Sequence, residues 1–226
     1  ELSRRSQRNS AMPSCSPITD LTLTLHDGID GVDFEQKFTV SKDGWNARTL
    51  HLYSHIGTHM DAPFHFEASD ETIDQIPLDR CQGKAWIVRI SDVASKALIE
   101  VDDLGEVATK LQAGDSLLIQ TLWSQYFGVP KFRDEMPRIS VGLAKWCVEK
   151  KVRMLGVEAP SVADVHNLAE VTEVHHILLG GDVIIVEGLT NLDRVAEDVV
   201  HFWAIPLKLR DGDGSPCRAF CSSLKP

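Results

Sequence analysis

Apolar and polar positions alternate through residues 18–25, placing Leu21, Leu23 and Leu25 on one face, and this period of two predicts a half-buried strand. A Gly- and Asp-rich loop follows at 27–33, and a short strand is expected over 38–40, broken at Asp43-Gly44. Alternation returns over 48–55. Leu50 and Leu52 share one face there, while His51, Tyr53 and His55 share the other, so His55 is expected at a strand end, facing away from the leucines. Gly57 permits a sharp turn beyond it, and Pro63 excludes a long regular helix across 58–66.

The pattern then changes. Continuous apolar runs at 85–90, 116–121, 152–157 and 183–186 predict buried strands, and 199–209 predicts a long last strand interrupted by Pro206. Between them lie helical patterns. Residues 101–111 carry Leu104, Val107, Ala108 and Leu111 at i, i+3, i+4 and i+7, with Gly114 beyond. Ser140 is placed to N-cap a helix bearing Leu143, Trp146 and Cys147, and 170–179 ends at Gly180-Gly181. A β-rich start followed by alternating strands and helices predicts a mixed α/β fold, with one domain over 18–226 after an N-terminal tail or leader at 1–17. Met12 is read as the native start, after a polar, basic leader at 1–11.

At 226 residues the chain can bury a core without staples. The net charge of −10 argues against nucleic-acid or anionic-membrane surfaces, and no apolar run approaches the length of a membrane span. Five cysteines without framework spacing read as free thiols in a reducing, cytoplasmic setting. Cys217 and Cys221 form a C-x3-C pair, whose use as a metal clip would need two further ligands nearby.

The candidate chemistry is concentrated at 55–65. His55, His59, Asp61 and His65 form H-x3-H-x-D-x3-H, a nitrogen and oxygen donor set suited to zinc, manganese or iron(II). A turn at Gly57 can bring His55, His59 and Asp61 to one cation, leaving His65 as ligand or as general acid/base. No glutamate sits between the histidines, so this is not the H-E-x-x-H pattern. Downstream, His175 falls on the apolar face of the 170–179 helix, His176 lies off it, and Glu187 ends an apolar strand. Both buried groups need partners; a metal would satisfy them, and so would a hydrogen bond between the two.

The stretch H-x-G-T-H-x-D-A-P-x-H at 55–65 resembles the signature of the cyclase-like metal-dependent hydrolases, which include bacterial kynurenine formamidases and isatin hydrolases. Further segments match in order: Gly114-Asp115 through Trp123, Gly156–Ser161 with Asp164, 174–179 with 185–192, Pro206-Leu207-Lys208, and Asp213-Gly214-Ser215-Pro216-Cys217-Arg218. The resemblance implies a swivelling β/β/α-type fold, a homodimer or homotetramer, and one or two divalent ions, zinc or manganese. It implies His55, His59 and Asp61 as first-site ligands, Asp61 bridging to a second ion held by His175 and Glu187, and His65 as the catalytic acid/base. The family's Pro- and Trp-rich loop after the first strand is replaced by 26–34, which has neither residue, and Glu158 stands where aspartate is usual.

The activity implied is hydrolysis of an amide carbon–nitrogen bond, in a formamide such as N-formylkynurenine or a cyclic amide such as isatin. Trp45, Phe64 and Trp123 are candidate substrate-binding aromatics, and packing into the core is the competing role for each. The rival functions are a lactone or ester hydrolase on the same scaffold, a non-catalytic metal-containing binder, and an interaction protein. A catalytic histidine beyond the ligands favours an enzyme acting on a small molecule.

Overall fold

The computed structural model describes residues 17–224. The expected tail, apart from Pro17, lies outside them, as do Met12 and Cys15. The strands are β1 (Ile18–Asp20), β2 (Val32–Phe38), β3 (Ala47–Leu52), β4 (His59–Asp61), β5 (Gln82–Arg89), β6 (Leu98–Ile99), β7 (Ser116–Gln120), β8 (Arg138–Ile139), β9 (Met154–Val157), β10 (Ile184–Glu187), β11 (Val199–Pro206) and β12 (Gly214–Ser223). The α-helices are α1 (Val40–Asp43), α2 (Val107–Lys110), α3 (Lys131–Asp134), α4 (Val141–Glu149) and α5 (Leu168–Gly180).

Eight strands form one sheet in the order β1-β12-β11-β5-β7-β9-β10-β4, and β4 also pairs with β12. Seven strands therefore close on one another like a barrel, with β1 attached outside the ring. β5, β7, β9 and β10 run parallel, and the remaining pairings in the ring are antiparallel. The mixed α/β fold expected from the resemblance is observed, with its main sheet closed like a barrel.

Period-two alternation divides the core into two layers. In β7, Leu118 faces the barrel interior with Met60, Met154, Val186 and Phe202, whereas Leu117 and Ile119 face an outer layer with Leu143, Cys147, Val174 and Leu178 of α4 and α5. Strands buried on both faces must be apolar throughout, which explains the continuous runs of β7, β9 and β10. Ser140 caps α4 by accepting from the Leu143 amide at 3.0 Å, and Gly181 caps α5.

Several expected elements differ. The first strand stops at Asp20, although Leu21 and Leu23 remain buried. The 101–111 helix is a 3-10 turn, Val101–Leu104, and then α2. Gly105 at φ 53° breaks it, after a capping box between Glu100 and Asp103. The strand expected over 38–40 does not form there: β2 ends at Phe38, Val40 opens α1, and β2 pairs with β3 in a hairpin on which Leu50 is exposed. The last expected strand ends at Pro206, and β12, the longest strand, was not expected. Its Cys217, Ala219 and Cys221 alternate into the barrel interior, so the C-x3-C pair is core packing rather than a metal clip. No helix among the described residues is long and apolar enough to cross a membrane.

Candidate metal centre and active site

The site lies where β4 is hydrogen-bonded between β10 and β12. His59 is opposite Glu187 in the antiparallel register, and Asp61 is opposite Ile185. Met60, between them, points into the barrel interior. Strand alternation therefore sends His59 and Asp61 to the other face, toward the helical layer, and cross-strand pairing sends Glu187 the same way. His175 arrives on that face from α5. The strand expected to end at His55 stops at Leu52, and His55 sits in the following turn. His65 sits just past β4 in a 3-10 turn, Pro63–Phe66, that Pro63 starts.

Close backbone approach holds this arrangement. A Cβ on Gly188 would lie 2.2 Å from the Gly57 carbonyl oxygen, so glycine is required where β10 exits beside the turn. Thr58 clamps the same point, its Oγ1 donating to the Gly188 carbonyl at 2.5 Å and accepting from the Leu23 amide at 2.8 Å.

The distances define a buried cluster. His59 Nε2 lies 3.1 Å from Glu187 Oε2 and 3.6 Å from Asp61 Oδ1. His175 Nε2 lies 3.6 Å from both Asp61 Oδ2 and Glu187 Oε1. His55 Nδ1 lies 2.8 Å from Asp61 Oδ1. Glu187 Oε1 also accepts from the Val162 amide at 2.7 Å. His59 and His175 are oriented by backbone: His59 Nδ1 lies 3.0 Å from the Gly57 carbonyl and His175 Nδ1 lies 2.7 Å from the Val171 carbonyl. Each thus turns Nε2 into the cluster.

Burial opposes charge on His59 and His175, yet Glu187 and then Asp61 outweigh it and raise both imidazoles. Burial likewise opposes His55, but Asp61 and Asp213 raise it to about 9. Burial pushes Asp61 up, and the hydrogen bond from His55 with the charges of the neighbouring histidines brings it below the usual carboxylate range. Burial and Asp61 push Glu187 up, and His175 and His59 draw it down. His59 Nε2, which meets Glu187 Oε2 at 3.1 Å without hydrogen-bond geometry, and Asp61 Oδ2 are buried and imperfectly satisfied, an expensive state that coordination would relieve. Three overlapping donor triads, the two inner ones His55/His59/Asp61 and Asp61/His175/Glu187 and an outer, less buried one His55/His65/Asp213, each have their ligand atoms within 4.8 Å of one another. These residues fit one or two divalent cations.

His65 differs from the other histidines. Its side chain is 24 % exposed, it stacks on His55 at 3.8 Å between ring centroids, and its Nδ1 faces Asp213 Oδ2 at 3.9 Å. Burial is the main influence on it and lowers its pKa, which favours the neutral imidazole. Phe66 stacks on His175 at 4.3 Å. His176 is exposed, as expected of a position off the apolar face.

The structure brings together all six expected ionisable site residues but not the three aromatics. Trp123 is buried in the outer core, its indole nitrogen donating to the Phe132 carbonyl at 2.9 Å. Trp45 packs on Phe38 in the exposed hairpin, and Phe64 is exposed within the same 3-10 turn as His65. One site residue had no role assigned from sequence: Asp213, whose Oδ2 is 2.9 Å from His55 Nε2 and accepts from Ser54 Oγ at 3.2 Å. Its segment was visible as a match, but nothing local marks it as a neighbour of His55.

The family model described as putative cyclase matches residues 19–164. A kynurenine formamidase of Bacillus cereus is 32% identical over 174 residues, spanning 77% of this chain and 78% of that protein. An isatin hydrolase solved with the product analogue thioisatinate superposes with a TM-score of 0.83 at 20% identity, over 90% of this chain and 91% of that one. A potential metal-dependent hydrolase with cyclase activity gives a TM-score of 0.77 at 25% identity, over 94% and 100%.

Proposed function

From the finding that this chain belongs to the cyclase family, we propose that it is a metal-dependent amidohydrolase, with a formamide such as N-formylkynurenine as first candidate substrate and a cyclic amide such as isatin as second. The observation that carries the reading is the convergence of the donor atoms of His59, Asp61, His175 and Glu187 in one buried cluster, with the half-buried His65 beside them. A structural metal site needs no such base. The formamide leads because the matched relatives at 32% identity are kynurenine formamidases, whereas the isatin hydrolase likeness concerns the fold.

His55, His59 and Asp61 would hold one ion, and Asp61, His175 and Glu187 a second; zinc or manganese suits the donors. When bound, a divalent ion supplies carbonyl polarisation and a water acidified toward neutrality. The rest falls to His65. With Nδ1 turned toward Asp213, Nε2 is the nitrogen left to take a proton from the attacking water. The new carbon–oxygen bond forms as this proton is taken. His65 Nε2 then returns the proton to the amide nitrogen as the carbon–nitrogen bond breaks, releasing an acid and an amine. For a formamide the acid is formate.

The exposed apolar residues of the β2–β3 hairpin and its turn, Phe38, Trp45, Leu50 and Tyr53, support self-association into a homodimer or homotetramer, which sedimentation would read. The free Cys81, Cys147, Cys217 and Cys221 support a cytoplasmic setting. The decisive experiment assays zinc- and manganese-loaded protein on N-formylkynurenine, isatin and an aryl lactone, before and after chelation. Amide turnover that disappears on chelation and returns with metal is expected. Equal turnover by the metal-free protein would overturn the reading.

A further inference from the structure

We propose that Asp213 is a positioning residue of the metal centre. It holds the ring of His55 through Nε2 so that Nδ1 is presented to the ion, an inference that rests on the metal-dependent reading of the site.

The other two histidines follow a general pattern of metal-binding imidazoles. A metal-binding imidazole donates its second ring N–H to a carbonyl or carboxylate, which fixes its tautomer and raises its basicity. His59 gives Nδ1 to the Gly57 carbonyl and His175 gives Nδ1 to the Val171 carbonyl, so each presents Nε2. His55 is reversed. Its Nδ1 lies 2.8 Å from Asp61 Oδ1, inside the first triad, and its Nε2 points outward to Asp213 Oδ2 at 2.9 Å. No backbone carbonyl takes the second nitrogen of this ring; a carboxylate carried 158 residues later in the chain takes it instead.

Two further observations are independent of that distance. The same Asp213 oxygen accepts from Ser54 Oγ at 3.2 Å, so the carboxylate is itself oriented by the residue preceding His55. The next residue, Gly214, is shaped around the ring: a Cβ there would stand 2.6 Å from His55 Cε1 and 3.1 Å from His55 Nε2. Gly214 is opposite Asp61 in the β12–β4 register, so the ladder that carries the ligand Asp61 also places Asp213 behind His55. Asp213 Oδ2 further faces His65 Nδ1 at 3.9 Å, which ties the acid/base ring to the same anchor.

The test measures zinc affinity by competition with a chromophoric chelator, for wild type, Asp213→Ala, Asp213→Asn and Ser54→Ala. Loss of a carboxylate behind a ligating histidine weakens metal affinity about 10- to 100-fold. That loss is expected in Asp213→Ala. Asparagine keeps an acceptor oxygen of the same reach, so Asp213→Asn should lose less, and Ser54→Ala least. X-ray absorption of zinc-loaded wild type and Asp213→Ala should show the same number of nitrogen and oxygen ligands. Wild-type affinity in Asp213→Ala overturns the proposal, and so does a lost ligand, which would make Asp213 a direct donor. Should Asp213→Ala fail to fold, the isosteric Asp213→Asn decides: undiminished affinity there overturns it. Failure of the wild-type protein to bind zinc or manganese at all would instead refute the metal-dependent reading.

Discussion

His59 and Glu187 are register partners across the β4–β10 ladder, and their side chains meet at 3.1 Å between Nε2 and Oε2, both almost wholly buried. An imidazole and a carboxylate so placed are a metal-ligand pair or a costly buried ion pair. Glu187→Ala separates these outcomes. It leaves His59 and His175 without their first electrostatic partner and removes a donor of the second triad. Metal stoichiometry or affinity should fall, and the metal-free protein should lose about 3–5 kcal/mol of stability, as for breaking a buried pair. Metal titration and denaturant unfolding read the two effects. Unchanged metal binding would remove Glu187 from the ligand set.

His65→Ala should behave differently from His59→Ala. His65 is half-buried, outside the two inner triads, and stacks on His55 at 3.8 Å between ring centroids. Its removal should leave metal content intact while kcat falls about 100- to 10,000-fold, the usual contribution of a positioned acid/base. His59→Ala removes a buried donor and should lose the metal itself. Elemental analysis alongside steady-state kinetics distinguishes them, and loss of metal from His65→Ala would reassign His65 as a ligand.

The legibility of this site in the sequence followed the range of its contacts. The cluster at 55–65 was readable because its ligands lie within eleven residues, around one glycine and one proline. His175 and Glu187 were readable only as polar residues at apolar positions. Their pairing required the fold, and the family resemblance chose between a metal and a mutual hydrogen bond. Asp213 and β12 were not readable. That strand, with Cys217, Ala219 and Cys221 facing inward, lacks the β-branched residues that mark a strand, because small side chains fill the barrel interior there. Its contact with His55 exists only through the β12–β4 pairing. The 101–111 helix was misread for a local reason: its apolar spacing is helical, but Gly105 interrupts the backbone.

Metal binding should release protons and strengthen with pH. In the metal-free protein His55 is raised to about 9, with Asp61 and Asp213 outweighing its burial. A histidine whose folded pKa is raised contributes stability that is full below 6.5 and is lost as pH rises toward about 9. A cation must displace that proton, so apparent zinc affinity should climb across the same window. Calorimetry in buffers of differing ionisation enthalpy would count the protons released at pH 7.5. A pH-independent affinity between 6.5 and 9 would place His55 outside the ligand set.

Glu158 offers a test of stability away from the ligands. Its carboxylate is 1 % exposed and accepts from the Thr121 amide at 2.7 Å, holding the turn in which Leu122 adopts φ 60°. Burial raises its pKa above 4.5, and the hydrogen bonds from the Thr121–Trp123 turn offset this only in part. The sign follows. Below 4.5 the group is protonated both folded and unfolded, and no penalty arises. As pH rises past 4.5 the unfolded chain ionises first, so folding stability falls, by at most about 1.4 kcal/mol per pH unit, until the folded group ionises too. Glu158→Gln removes this titration. The difference in unfolding free energy between Glu158→Gln and wild type, measured on metal-free protein from acid to neutral pH, should shift in favour of the variant as pH rises. A difference that stays constant over that range would show that burial of Glu158 imposes no penalty on its charge.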